Sequence, residues 1–212
     1  MSAKVKICGI TTAKTLDACL TGGASHVGLN FFPPSPRHLS LDLAASIAAR
    51  IPAHVVPVGV FVDPDDALLG RAIAAGSLRA VQLHRVTPGR AAAVRARFDL
   101  ETWVAVAVKT RTDLDTAHSF AGAADRLLYD AKTPDAAALP GGVGLRFDWT
   151  LLDGFPHPLP WALSGGLDVR NVAEAIARTG ARLVDACSGV ETAPGVKDRD
   201  LITAFLKAVA SA

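Results

Sequence analysis

Eight short apolar runs, spaced along the whole chain and separated by stretches of helical character, limit more than anything else how these 212 residues can fold. They occupy residues 5–10, 26–32, 55–62, 80–84, 103–108, 126–130, 160–164 and 183–188. Strands that are apolar on both faces and separated by helices belong to a parallel sheet. The stretches between them carry helix starts at Thr12, at Ser40 ahead of 43–51 and at Asp63-Pro64 ahead of 65–75, with further helices expected over 88–98, 112–120, 168–178 and 198–209. Ser, Thr or Asp before a helix accepts one of its orphan N–H groups, and Pro in the first turn dispenses with one.

Eight strand-plus-helix units of roughly two dozen residues each suit a closed barrel, in which no sheet edge is left unpaired. A doubly wound open sheet rarely needs eight units, and no Gly-x-Gly-x-x-Gly follows the first run. The expected fold is therefore α/β: a (β/α)8 TIM barrel, as a single domain over residues 1–212.

Charge and cysteine content narrow the function. With 22 Lys and Arg against 20 Asp and Glu, a net charge of +2 leaves no basic stripe for nucleic acid. The start lacks a secretory apolar region, and no run of about 18 apolar residues suggests a membrane span, so a cytoplasmic location is expected. Cys8, Cys19 and Cys187 fit neither a disulfide framework nor a Cys-x-x-Cys site and read as free thiols. The six histidines show no His-x-x-x-His spacing, so no metal is expected.

Two glycine turns near the end of the chain point to a ligand. One follows Trp161-Ala162-Leu163-Ser164 and the other Leu183-Val184-Asp185-Ala186-Cys187. Paired turns after consecutive strands, with a helix just beyond, aim several backbone N–H groups at one anion, usually a phosphate. Gly165, Gly166, Ser188 and Gly189 are the candidates, and a phosphorylated small molecule is the partner they imply.

A barrel carries its chemistry at the C-terminal ends of its strands, which places Cys8, His84, Asp130, Ser164 and Ser188 on one rim. Each of the leading candidates has two readings. Cys8 is either a buried structural thiol or a base, the latter needing a lowered pKa or a proton acceptor in reach. Asp130 either caps a turn or, raised by burial, stays protonated as a general acid. Arg37 is either solvated or held by Pro33, Pro34 and Pro36 as a fork for a carboxylate. His84 is a satisfied rim histidine or a substrate contact. Lys6, by strand alternation, lies one layer beneath the Cys8 thiol. Lys6 and Asp185 interrupt apolar runs and are expected to pair beneath the site and tune that thiol.

These residues fall within segments that resemble the phosphoribosylanthranilate isomerase family of tryptophan biosynthesis. The likeness covers Val5-Lys6-Ile7-Cys8-Gly9-Ile10-Thr11, residues 31–37, Gly59-Val60-Phe61-Val62, Val81-Gln82-Leu83-His84, Leu128-Tyr129-Asp130-Ala131-Lys132, Leu163-Ser164-Gly165-Gly166-Leu167 and Ser188-Gly189-Val190-Glu191, in the family's order. It implies Cys8 as general base, Asp130 as general acid, Arg37 on the anthranilate carboxylate, and phosphate on the Gly165, Gly166, Ser188 and Gly189 amides; His84 stands beside them as a substrate-binding candidate from its place on the rim. The reaction implied is an Amadori rearrangement of N-(5-phosphoribosyl)anthranilate without cofactor or metal, by a monomer or homodimer. Three positions depart from the family pattern: Val143 where a Thr is usual, Arg85 where Gly commonly follows the histidine, and Cys187 for a frequent Ser. Two rival readings keep the barrel: another cofactor-free phosphosugar isomerase or epimerase, and a non-catalytic phosphosugar-binding protein. The combination of Cys8, Asp130 and Arg37 favours the anthranilate-bearing substrate.

Overall fold

The structure, a computed structural model, describes residues 3–134 and 139–212. Its first half runs β1 (Lys4–Cys8), α1 (Ala13–Thr21), β2 (His26–Asn30), α2 (Leu41–Ala48), β3 (Val56–Val62), α3 (Asp66–Gly76), β4 (Ala80–His84) and α4 (Pro88–Phe98). The second half adds β5 (Glu101–Val108), α5 (Arg111–Asp115), β6 (Arg126–Ala131), β7 (Trp161–Leu163), α6 (Val172–Thr179) and β8 (Leu183–Ala186). A hairpin of β9 (Glu191–Ala193) and β10 (Val196–Lys197) follows, then α7 (Arg199–Ala210). Strands β1 to β8 pair in parallel in chain order, and β8 returns to β1, so the sheet closes into the expected eight-stranded barrel.

Strand alternation divides the core in two. Outward side chains such as Val5, Ile7, Val81, Leu83 and Leu127 pack under the helices in one large apolar cluster. Inward side chains near the strand starts form a small second cluster of Val58, Ala80, Trp103, Leu128, Ala162 and Leu183, which plugs the barrel floor. Above that plug the inward positions turn polar: Lys6 and Cys8 on β1, Gln82 and His84 on β4, Asp130 on β6 and Asp185 on β8, all buried. The plug is what lifts the polar layer to the mouth.

Local signals set most helix starts. The side chains of Thr12, Ser40, Thr87 and Asp198 accept N–H bonds from the first turns of α1, α2, α4 and α7, and Pro88 opens α4. Four expectations are corrected. Helix α3 starts one turn-step later than Asp63-Pro64: Asp65 is its cap, while Asp63 takes a left-handed conformation at φ 43°. The 112–120 helix breaks after α5 into a 3-10 turn over Thr116–Phe120. Helix α6 begins at Val172 and not at 168, because Asn171 Oδ1 takes the Asp168 amide at 3.0 Å and folds 168–171 into a turn.

The fourth correction matters most for function. Between β6 and β7 the described residues hold only a 3-10 turn, Trp149–Leu152, where the eight-unit pattern calls for a helix. Pro134, Pro140 and the glycines at 141, 142 and 144 disfavour helix there. Residues 139–145 instead line the mouth of the barrel.

Candidate active site

The C-terminal ends of the strands open into a cleft of about 490 Å³, part of it open to solvent, within the usual size range for a small-ligand site. Cys8, Arg37, His84, Asp130 and Ser164 all line it. A second lobe of about 300 Å³ shares Asp130, Ser164 and Cys187 with the first and extends over Gly165, Gly166 and Ser188.

Asp130 sits at the end of β6, 7% exposed, with Oδ1 accepting the Ala131 amide at 2.9 Å. Glycines form its walls: a Cβ at Gly141 would run into Oδ2, and one at Gly165 would lie 3.2 Å from Oδ1. Burial first, and then the Asp185 charge, push this carboxyl up to about 7, against the Ala131 hydrogen bond. The proton is therefore held to a much higher pH than on an exposed carboxyl. The turn-capping reading and the acid reading are not exclusive, since one oxygen serves the backbone and the carboxyl still borders the cleft.

Cys8 ends β1, directly across a paired strand from Gly28, where a Cβ would come within 2.8 Å of Sγ. Its thiol is pushed up by its interaction with the Cys187 side chain and by burial, while Lys6 opposes the shift. Of the two conditions for a base, a lowered pKa is absent; the group that interacts with the thiol, Cys187, lines the same cleft.

Beneath them lies the expected ion pair. Lys6 and Asp185 are register partners in β1 and β8, with Nζ 2.9 Å from Oδ1, and the Ser164 hydroxyl donates to Oδ2 at 3.3 Å. Lys6 is fully buried; burial alone would lower its pKa, but Asp185 and Cys8 hold it above the usual value. The floor of the site thus carries a buried ion pair whose charges offset each other.

Arg37 is not solvated. Its Nε and Nη2 grip Glu191 at 2.8 and 2.7 Å, and Nη2 also donates to the Gly142 carbonyl at 2.9 Å. A Cβ at Gly142 would fall 2.9 Å from Nη1, so a glycine is needed where the 139–146 loop meets the guanidinium. Lys197 from β10 completes the cluster, with Nζ 2.6 Å from Glu191 Oε1 and 2.9 Å from the Cys187 carbonyl. His84 Nε2 lies 2.8 Å from Gln82 Nε2, and burial, with Lys6 and Arg85 nearby, lowers its pKa to about 4, so it is neutral.

The two glycine turns meet. A Cβ at Gly189 would collide with the Leu167 carbonyl, and Gly165 and Gly166 take φ of 90° and 60°, conformations that side chains disfavour. Asn171 Nδ2 donates to the Gly166 carbonyl at 3.0 Å and stiffens the first turn. The amides of Gly165, Gly166, Ser188 and Gly189 donate to no acceptor among the described residues.

The departures from the family pattern find structural settings. Arg85 adopts φ 56°, the left-handed region in which glycine is unstrained. Val143, 46% exposed, lies in the loop over the glycine lobe. All three cysteines are free thiols. Among the described residues no His, Cys, Asp and Glu group has a metal-site arrangement, and no helix is long and apolar enough to cross a membrane.

Sequence reasoning missed Lys197, Asn171, Gln82 and the β9–β10 hairpin. Pro194-Gly195, with Gly195 at φ 82°, was the available turn signal for the hairpin. Nothing local marks Lys197 as buried.

Comparison with known proteins agrees with this geometry. Residues 5–208 match the family described as N-(5'phosphoribosyl)anthranilate (PRA) isomerase. The chain is 52% identical over 211 residues to the N-(5'-phosphoribosyl)anthranilate isomerase of Zymomonas mobilis subsp. pomaceae, covering 99% of each. It superposes on the crystal structure of phosphoribosyl anthranilate isomerase from Thermotoga maritima with a TM-score of 0.89 at 34% identity, covering 99% of this chain and 100% of that one. A phosphoribosyl anthranilate isomerase in complex with reduced 1-(o-carboxyphenylamino)-1-deoxyribulose 5-phosphate is similar too, with a TM-score of 0.86 at 31% identity over 99% of this chain and 100% of that one. The chain belongs to the N-(5'-phosphoribosyl)anthranilate isomerase family.

Proposed function

We propose that residues 1–212 act as one (β/α)8 domain that converts N-(5'-phosphoribosyl)anthranilate to 1-(2-carboxyphenylamino)-1-deoxyribulose 5-phosphate, a step of tryptophan biosynthesis, in the cytoplasm. Asp130 gives its proton to the furanose ring oxygen, and the ring opens to a Schiff base. Cys8 takes the sugar C2 proton; the C–H electron pair forms the C1–C2 double bond of an enolamine, which tautomerises to the ketone. Positioned acids and bases each supply roughly 10²–10⁴ in rate.

The observation that carries this reading is the meeting, in one cleft, of a buried carboxyl pushed up to about 7 and a thiol from a different strand, beside four amides uncommitted among the described residues. The amides of Gly165, Gly166, Ser188 and Gly189 take the phosphate. Anchoring that remote group orients the reacting carbons. Arg37, its Nε edge committed to Glu191, turns its remaining face to the substrate carboxylate, with neutral His84 beside the sugar. The route uses no metal or cofactor.

The test is to generate phosphoribosylanthranilate in situ and follow the loss of its fluorescence, with Asp130→Asn as control. Rapid loss with the wild type alone supports the reading. No loss with the wild type overturns it.

A further inference from the structure

The reading of Cys8 as base leaves a difficulty, because its surroundings keep the thiol protonated. The register of the barrel offers a resolution. Lys6 pairs with Asp185 and Ile7 with Ala186, so Cys8, the last residue of β1, and Cys187, the first residue after β8, stand at the same end of neighbouring strands. Both line the mouth cleft, and their side chains interact.

The charges around the two sulfurs differ. Facing Cys187 are Lys197, with Nζ 3.8 Å from Sγ, and Arg37, whose Nη1 lies beside the same Gly142 position as the Cys187 sulfur. Among the described residues Glu191 is the only acidic side chain paired with either, and it bridges both. That buried trio carries one uncompensated positive charge. Facing Cys8 are Lys6, already neutralised by Asp185, together with Asp130 and neutral His84 across the cleft. Charge balance in a low-dielectric setting therefore favours a thiolate on Cys187 and a thiol on Cys8. The shifts agree: the Cys8 hydrogen bond first, then Lys197 and Arg37, draw Cys187 below the usual thiol range despite burial.

We propose that Cys187 is a positioning residue for the base: the two sulfurs share one proton, and Cys187 accepts it when Cys8 is required as thiolate. The balance is simple. The Cys8 S–H bond breaks as a Cys187 S–H bond forms, and Cys8 then takes the C2 proton whose electron pair enters the enolamine. A substrate carboxylate arriving at Arg37 cancels the surplus charge that favoured the Cys187 thiolate, and so drives the transfer on binding. This proposal rests on the assignment of Cys8 as base.

The experiment is a pH titration of thiolate absorbance at 240 nm, with kcat/KM profiles, on wild type, Cys187→Ser and Cys8→Ser. The expected result is one thiolate titrating below the ordinary thiol range in wild type and in Cys8→Ser, and absent in Cys187→Ser. In Cys187→Ser kcat/KM falls about tenfold or more at neutral pH, the loss lies in kcat, and the acid limb moves up by about one pH unit. A wild-type acid limb in Cys187→Ser, or loss of the low-pH thiolate in Cys8→Ser, overturns the proposal. An inactive Cys8→Ser beside an unchanged Cys187→Ser sinks this inference alone. An active Cys8→Ser sinks the base assignment itself. Should Cys187→Ser fail to fold, mass mapping of wild-type alkylation by iodoacetamide near pH 6.5 decides: Cys187 first supports the proposal, Cys8 first refutes it.

Discussion

The two halves of the mouth work by different means. On the β1 and β6 side the proposed chemistry rests on side chains, Cys8 and Asp130, whose protonation is set by Cys187 in the case of the thiol, by burial in both, and by the Lys6–Asp185 pair below them. On the β7 and β8 side the proposed binding surface is backbone, held open by glycines: a Cβ would strike the Ala131 amide from Gly165, the Gly144 and Leu145 carbonyls from Gly166, and the Leu167 carbonyl from Gly189. The first half is sensitive to the loss of an atom or a charge. The second is sensitive to the gain of a methyl group. Reaction and anchoring are thereby separable, although both borrow residues from one rim.

The sharpest way to break that division is to remove the acid or the base. Asp130→Asn and Cys8→Ala are each expected to cost about 10²–10⁴ in kcat while affinity for a product analogue stays nearly unchanged. Retention of more than about a tenth of wild-type kcat removes that residue from its role. In the wild type the alkaline limb of kcat/KM is expected to belong to Asp130: its raised pKa keeps it protonated below about 7, so activity should fall as pH rises through that value. Residual activity in Asp130→Asn should lack this limb.

Next in size is the pair beneath the site. Lys6→Met leaves Asp185, only 3% exposed, without its cation, and should destabilise the fold by about 3–5 kcal/mol in urea unfolding. It should also shift the pH dependence of kcat/KM. An unchanged profile excludes coupling to Cys8.

Gly189→Ala probes the other half. Its Cβ would meet the Leu167 carbonyl, so the turns must separate and some charge-assisted amide bonds are lost, a cost of about 1.5–3 kcal/mol seen mainly as a higher KM. A fall in kcat with KM unchanged contradicts the division of labour. The smallest effect marks the region outside the comparison: Ser40→Ala, which removes the cap bond to Leu43 at the start of α2, should cost about 1 kcal/mol of stability and leave both kinetic constants alone.

How much of this was legible in the chain depended on whether the cause was local. Ala80–His84 and Pro88–Phe98 match the sequence expectation to the residue, because a buried strand reads as an apolar run and a capped helix with Pro at its first position declares its start. The two glycine turns were readable for the same reason, as was the placement of Cys8 and Asp130 on one rim. The hairpin was not, because strands of two or three residues, Val196–Lys197 and Glu191–Ala193, have no period to detect.

By itself, then, the sequence determined the barrel, its polar rim and the glycine turns, all of which follow from periodicity and from conformations only certain residues adopt. The Lys6–Asp185 pair, 179 residues apart, was legible as two charges interrupting apolar runs, but tertiary structure decided the other cancellations. Arg37 meets Glu191 across 154 residues, and Cys8 and Cys187 share a cleft only because β8 closes on β1. It also decided that Lys197, which composition would assign to the surface, is buried beside the Cys187 sulfur. The energy of a buried charge depends on every neighbour that shares its low-dielectric space, and those neighbours are assigned by closure of the sheet, not by spacing along the chain.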